Sequence, residues 1–177
     1  MAPEPKEEHA NSPEDLLWYV AHTRPRCEKK LAQFCRRENL AATLPCYRVV
    51  HKYRAKTAKT VVFEKPLFPG YVFLQLFPQQ RQKVRQSDFV ARLLEIVSQD
   101  LFVEQLKAVL HALQNDFEIR LAPEIKEGQR VRITRGPLQG VEGWIERGYS
   151  PGTVLLRINF IGQAAAVQLP PGDFEPS

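Results

Sequence analysis

Three cysteines and four histidines are the side chains through which this 177-residue chain could do nucleophilic or metal chemistry. The cysteines are Cys27, Cys35 and Cys46. An odd number with no CxxC spacing argues against both a disulfide framework and a zinc site. Cys46 and His51 fall within one strand-like stretch, but an odd offset of five puts them on opposite faces of a strand. No glycine-rich phosphate loop, nucleophile elbow or paired-carboxylate motif appears. These residues are not arranged for catalysis, so no catalytic residue, metal or cofactor is expected.

The residue types that do cluster suit binding. In "EKPLFPGYVFLQL", residues 64–76, two prolines bracket Leu67 and Phe68, and Gly70-Tyr71 leads into an apolar run. Pro69 fixes φ and Gly70 relaxes the bend, so large rings are held with little entropy left to lose on contact with a partner. Positive charge is equally concentrated. Residues 16–59 carry eleven Lys or Arg against two Glu, a net +9 in a chain whose total is +5. Residues 1–15 carry net −4, 60–127 net −1 and 128–177 net +1. One cationic segment of this kind is how a polyanion-facing surface looks in sequence.

A hydrophobic fraction of 44% and a charged fraction of 25% are ordinary for a globular protein. No apolar run approaches the ~20 residues needed to cross a bilayer. The opening "MAPEPKEEHANSPED" is acidic and lacks an apolar core, unlike a signal peptide, so a cytoplasmic location is expected.

The elements that must position these groups follow from periodicity. Residues 1–14 read as a disordered acidic tail. "LLWYVAHT" (16–23) has strand character. After Pro25, "RCEKKLAQFCRREN" places Cys27, Leu31, Phe34 and Cys35 on one helical stripe and Arg26, Lys29, Lys30, Arg36 and Arg37 on the rest. Residues 44–55 and 60–66 read as two strands around a basic loop, and 70–76 and 89–97 as two more. "PQQRQKVRQSD" reads as a short polar helix. A clear helix follows, with apolar residues at 102, 106, 109, 110 and 113; His111 lies beside its stripe. Residues 118–126, with Pro123 and alternating charge, read as a linker. Beyond it, short alternating runs broken by Gly-Pro and Pro-Gly turns predict a small antiparallel barrel. The organisation expected is α+β: a mixed domain over 15–117, then a barrel over 127–177.

Three segments in order carry a resemblance: "WYVAHTRPRCEKKLAQFC", "PLFPGYVFLQL" and "EGQRVRITRGPLQGVEGWI". The first two resemble the N-terminal domain of the NusG family of transcription factors, and the third resembles the KOW motif of its SH3-like barrel. The resemblance spans roughly residues 16–172. It implies a factor that promotes processive elongation or antitermination, bridging the RNA polymerase cleft beside the upstream DNA fork. An apolar patch would dock on the clamp helices of the largest subunit; by position it would comprise His22, Phe68, Pro69 and Tyr71. Arg24, Arg26, Lys29, Lys30, Lys52 and Arg54 would face upstream or non-template DNA, where phosphate contacts supply affinity but little sequence reading. Gly140 aligns with the KOW glycine. Phe160 and Ile161, in "NFIGQ", match the barrel edge that meets a small-subunit ribosomal protein or the Rho termination factor. The chain would act as a monomer without a membrane partner.

Two departures matter. The run "DFVARLLEIVSQD" replaces a glycine-bearing stretch usual in the family, and the linker is brief, which tilts the reading toward a specialised antiterminator. One branch of the family refolds its barrel into a helical hairpin. Here Gly136-Pro137, Gly140, Gly143, Gly148 and Pro151-Gly152 would each cost about 1 to 3 kcal/mol in a helix interior, which predicts a stable β form instead. The alternative is an RNA- or ribosome-binding KOW protein that does not touch polymerase. Such a protein would put its positive charge in the barrel, whereas residues 128–177 carry only +1.

Overall fold

The structure, a computed structural model, describes residues 12–53, 59–115, 117–123 and 128–177. Most of the acidic tail therefore lies outside the described residues; at its end Pro13–Asp15 forms a 3-10 turn, with the Ser12 N–H donating to the Asp15 carboxylate at 3.2 Å.

The N-terminal half is a four-stranded antiparallel sheet in the order β2-β5-β1-β6, from β1 (Leu17–Thr23), β2 (Ala41–Thr43), β5 (Tyr71–Leu76) and β6 (Val90–Glu95). Side chains alternate across β1. Tyr19 and Ala21 join Val72, Leu74 and Leu76 on one face, against helices α1 (Glu28–Arg37) and α2 (Gln80–Arg85). Val20 and Phe73 point to the other face, under helix α3 (Gln99–Gln114). The α1 stripe is as predicted, with Leu31 and Cys35 buried and Phe34 packed beside them. Glu28 in the first turn and Arg36 and Arg37 in the last complement the helix dipole, and Asn39 ends the helix in the left-handed region at φ 54°.

Strands β3 (Cys46–Tyr53) and β4 (Lys59–Pro66) form a separate ribbon of eight residue pairs. A two-stranded ribbon is marginal alone. This one is tied to the body by the Leu67 N–H to the Pro45 carbonyl at 2.8 Å and by the Lys29 ammonium to the Glu64 carbonyl at 2.6 Å.

Helix α3 fits its sequence period: Phe102, Leu106, Val109 and Ala112 are buried. Phe102 lies against Trp18 and Phe73, with ring centroids 5.9 and 5.4 Å away. Gln99 clips the helix to β1, accepting the Trp18 N–H at 2.8 Å and donating to the Trp18 carbonyl at 2.9 Å.

The C-terminal half is a six-stranded antiparallel barrel sheet in the order β12-β8-β9-β10-β11-β7. Its strands are β7 (Ile119–Pro123), β8 (Gln129–Ile133), β9 (Glu142–Ile145), β10 (Thr153–Ile158), β11 (Gln163–Gln168) and β12 (Phe174–Pro176). Val131, Ile133, Leu155 and Ile158 are buried as the pattern predicts, while Val141 and Ile145 are half-buried.

Here the domain boundaries need correcting. The stretch read as a linker, 118–126, supplies β7, which pairs with β11 from Ile119↔Val167 to Pro123↔Gln163. Ile119 and Ala122 are buried in that pairing, which no local pattern announces. The two halves also share a core. One apolar cluster runs from Val20, Phe73 and Phe102 through Leu106 and Val109 to Val131, Leu156 and Ile158. The Asn159 N–H of the barrel donates to Gln105 Oε1 of α3 at 3.0 Å. Beside this contact a cleft of about 490 Å³ remains, lined by Leu101, Ala108, Val141 and Trp144 among others.

Glu142 lies between Arg130 and Arg132 on neighbouring β8, and their hydrogen bonds hold its carboxyl below the ordinary carboxylate range. A depressed folded-state value stabilises the protein above the ordinary range, and the stabilisation is lost as pH falls through the lowered value. Thermal midpoints measured against pH should thus fall less steeply on the acid side for Glu142→Gln; the difference should be small because the group is at the surface.

Candidate interaction surface

The bend at 67–71 divides its side chains between core and solvent. Leu67 and Phe68 are 0% exposed, and Phe68 sits edge-on to Phe73 at 6.1 Å. Phe68 must therefore be withdrawn from the predicted surface patch. Its ring fills space beneath the bend, because a chain that turns at Pro69-Gly70 before β5 has to anchor one large side chain inward.

The other three residues of that patch reach the surface together. His22 and Pro69 are exposed and Tyr71 is half-buried. His22 and Tyr71 are paired across β1 and β5, and their rings stack at 5.3 Å with 28° between planes. Gly70 has φ +86°, a conformation that favours glycine. Its carbonyl accepts the Thr23 N–H at 2.8 Å, and its N–H donates to Glu28 Oε1 at 2.7 Å. On the far side of β1, His22 pairs with Arg92 of β6, which is exposed. A ledge Tyr71–His22–Arg92 thus crosses one end of the sheet. Sequence reasoning missed Arg92 and Glu28. Arg92 shares the parity of Leu94, which packs on the α3 face, so alternation within "VARLLE" was the signal that could have found it.

The cationic residues lie on the turn that follows β1 and on α1. Arg24 and Arg26 are exposed in the turn between β1 and α1, and Lys29 and Lys30 are exposed on the first turns of α1. Lys29 directs its ammonium to the Glu64 carbonyl and so also fastens the ribbon. The side chain of Lys52, and all of Arg54, lie outside the described residues.

In the barrel, Gly140 has φ +86° and donates its N–H to the Ile133 carbonyl at 2.8 Å, closing the turn between β8 and β9. Phe160, in a 3-10 turn at Asn159–Ile161, is 38% exposed, while Ile161 is half-buried against the shared core. The turn that carries both residues is held to α3 through Gln105.

The thiols are free. Burial pushes the Cys35 thiol up to about 11. Cys46 is also raised, by burial first, with Lys29 opposing and Glu64 adding to it. Activated nucleophiles show the opposite shift. An aromatic disulfide reagent at pH 8 should leave Cys35 unmodified until the protein is denatured; mass spectrometry of the native and denatured adducts checks this.

A family model described as "Transcription termination factor nusG" matches residues 16–112, which includes the sheet, the ribbon and nearly all of α3. The chain belongs to the NusG family. Among NusG relatives, the transcription termination/antitermination protein NusG of Borreliella burgdorferi (strain ATCC 35210 / DSM 4680 / CIP 102532 / B31) is 26% identical over 175 residues, covering 86% of this chain and 94% of its own. The NusG of Pasteurella multocida (strain Pm70), with the same description, is 26% identical over 134 residues, 71% of each chain. A solved structure titled "Domain interaction in Thermotoga maritima NusG" matches with a TM-score of 0.50 at 17% identity, covering 90% of this chain and 96% of that one. That likeness extends the NusG fold through the barrel.

Proposed function

We propose that this chain is a transcription elongation factor that docks on RNA polymerase through the His22–Tyr71 ledge and Pro69. The observation that carries this is the stack of half-buried Tyr71 on exposed His22, next to a bend fixed by proline and by hydrogen bonds, in a chain of the NusG family. Preorganised aromatic groups make strong interface anchors because little freedom is lost when they bind. The ledge would meet the clamp helices of the largest subunit. Arg24, Arg26, Lys29 and Lys30 would lie along the phosphates of upstream DNA, with Lys52 and Arg54 extending that contact. Binding both walls of the cleft more tightly when it is closed would disfavour the paused state and promote processive elongation or antitermination. Phe160 and Ile161 would recruit a second factor, a ribosomal protein or a termination factor, at high effective concentration.

The test uses the whole chain, since a fragment ending near residue 120 would cut through β7. Affinity for core RNA polymerase should fall at least about tenfold (~1.4 kcal/mol) in Tyr71→Ala. Equal affinity of wild type and variant would remove the ledge from the interface. Absence of wild-type binding would favour a nucleic-acid-binding KOW protein.

A further inference from the structure

The bend is held mostly by backbone. Leu67 donates to Pro45, Tyr71 to Phe68 and Thr23 to the Gly70 carbonyl. The side chain that joins this set is Glu28, whose Oε1 accepts the Gly70 N–H at 2.7 Å across 42 residues of sequence. That length is within the normal range of an N–H···O hydrogen bond. With Thr23 on its carbonyl and Glu28 on its N–H, Gly70 has both peptide groups engaged, in the residue between Pro69 and Tyr71.

How Glu28 reaches Gly70 is itself informative. The turn from Arg24 to Cys27 closes with the Cys27 N–H on the Arg24 carbonyl at 3.1 Å. Within it Arg26 adopts φ 60°, a conformation that costs a non-glycine residue about 1 kcal/mol. A strained residue persists where its surroundings over-determine it. Here the turn delivers the first residue of α1 to the Gly70 N–H, and the next residue, Lys29, holds the ribbon through the Glu64 carbonyl.

We infer that Glu28 is a positioning residue for the docking surface: its carboxylate locks Gly70, and through Gly70 the placement of Pro69 and the Tyr71–His22 stack. The inference rests on the ledge being the polymerase-binding site. Without Glu28 the rings remain, but the bend samples other conformations and must be ordered when the partner arrives. A purely local role, an acid favouring the N-terminus of α1 through the helix dipole, predicts something different. That role needs the charge, whereas positioning needs an acceptor oxygen, which glutamine also supplies.

The experiment compares wild type, Glu28→Ala, Glu28→Gln and Tyr71→Ala as whole chains. It measures affinity for core RNA polymerase, hydrogen exchange at the Gly70 amide and the thermal midpoint. Glu28→Ala should speed Gly70 exchange at least about tenfold and weaken binding on the order of tenfold, while Glu28→Gln retains most of both. If Tyr71→Ala weakens binding but Glu28→Ala leaves affinity and Gly70 exchange unchanged, the positioning role is overturned and the ledge stands. Equal losses in Glu28→Gln and Glu28→Ala, with equally lowered midpoints, would assign Glu28 to the helix terminus and overturn it too. Wild type that fails to bind polymerase removes the ledge reading and this inference together.

Discussion

Replacing Phe68 with alanine is expected to lower folding stability by about 3–5 kcal/mol, the range for a buried phenylalanine cut back to a methyl group. The ring is 0% exposed and lies edge-on to Phe73 in the cluster that includes Leu67 and Val20. The chain above it is poorly placed to collapse into the hole. Pro69 has a fixed φ, and Gly70 is bonded to Thr23 and Glu28. Tyr71, three residues away, should behave otherwise. Its ring is half-buried and stacks on an exposed histidine, so Tyr71→Ala should cost about 1 kcal/mol, the scale of an aromatic pair. Urea denaturation of the two variants side by side measures the contrast. Near-equal losses would mean that the bend does not sort its two rings between core and surface. The order should invert for polymerase affinity in variants that are still folded, with Tyr71→Ala the more damaged.

Phe102→Ala should cost a similar amount, about 3–5 kcal/mol, and its effect should be felt in both halves of the molecule. Phe102 touches Trp18 and Phe73 of the sheet and belongs to the cluster that continues through α3 into the barrel. The two tryptophans report the halves separately. Trp18 packs directly on Phe102, while Trp144 lies in β9 under the Arg157 guanidinium, 4.4 Å from its ring centre. In Trp144→Phe and Trp18→Phe backgrounds, the two fluorescence transitions should coincide and shift together on Phe102→Ala, as for a single cooperative unit. Two midpoints, with the Trp144 signal indifferent to Phe102, would show instead that sheet and barrel unfold independently.

Much of the architecture was legible because it is written locally. The α1 stripe of Leu31 and Cys35, the α3 repeat of Phe102, Leu106 and Val109, and the alternation in "VRI" are periodicities that a short window captures. Two of the strands missed have no such signature. Ala41–Thr43 becomes β2 only because β5 offers it an edge, and Ile119–Pro123 becomes β7 only because β11 lies opposite. The candidate site divides in the same way. "FPGY" announces a rigid bend with rings, but which ring faces solvent is set by the register of β5 on β1, which pairs Tyr71 with His22. Arg92 and Glu28 join the site through β6 and through the turn at Arg26, contacts that span distances no sequence window covers. The charge partition could not tell that Lys29 would be turned to the ribbon.

The pairing of β7 also fixes a length. From Gln114 at the end of α3 to Ile119 the chain takes five residue steps, so at ~3.6 Å per step this leash spans at most about 18 Å. With β7 kept in its sheet, a barrel released from α3 would stay within that radius of the helix end. Unzipping β7 from β11 lets the leash run on to Gln129, fifteen steps and about 54 Å at the same extension. That longer reach exposes Ile119 and Ala122 and breaks five residue pairs. A single edge strand, β7 on β11, therefore sets how long the connection between α3 and the rest of the barrel can become.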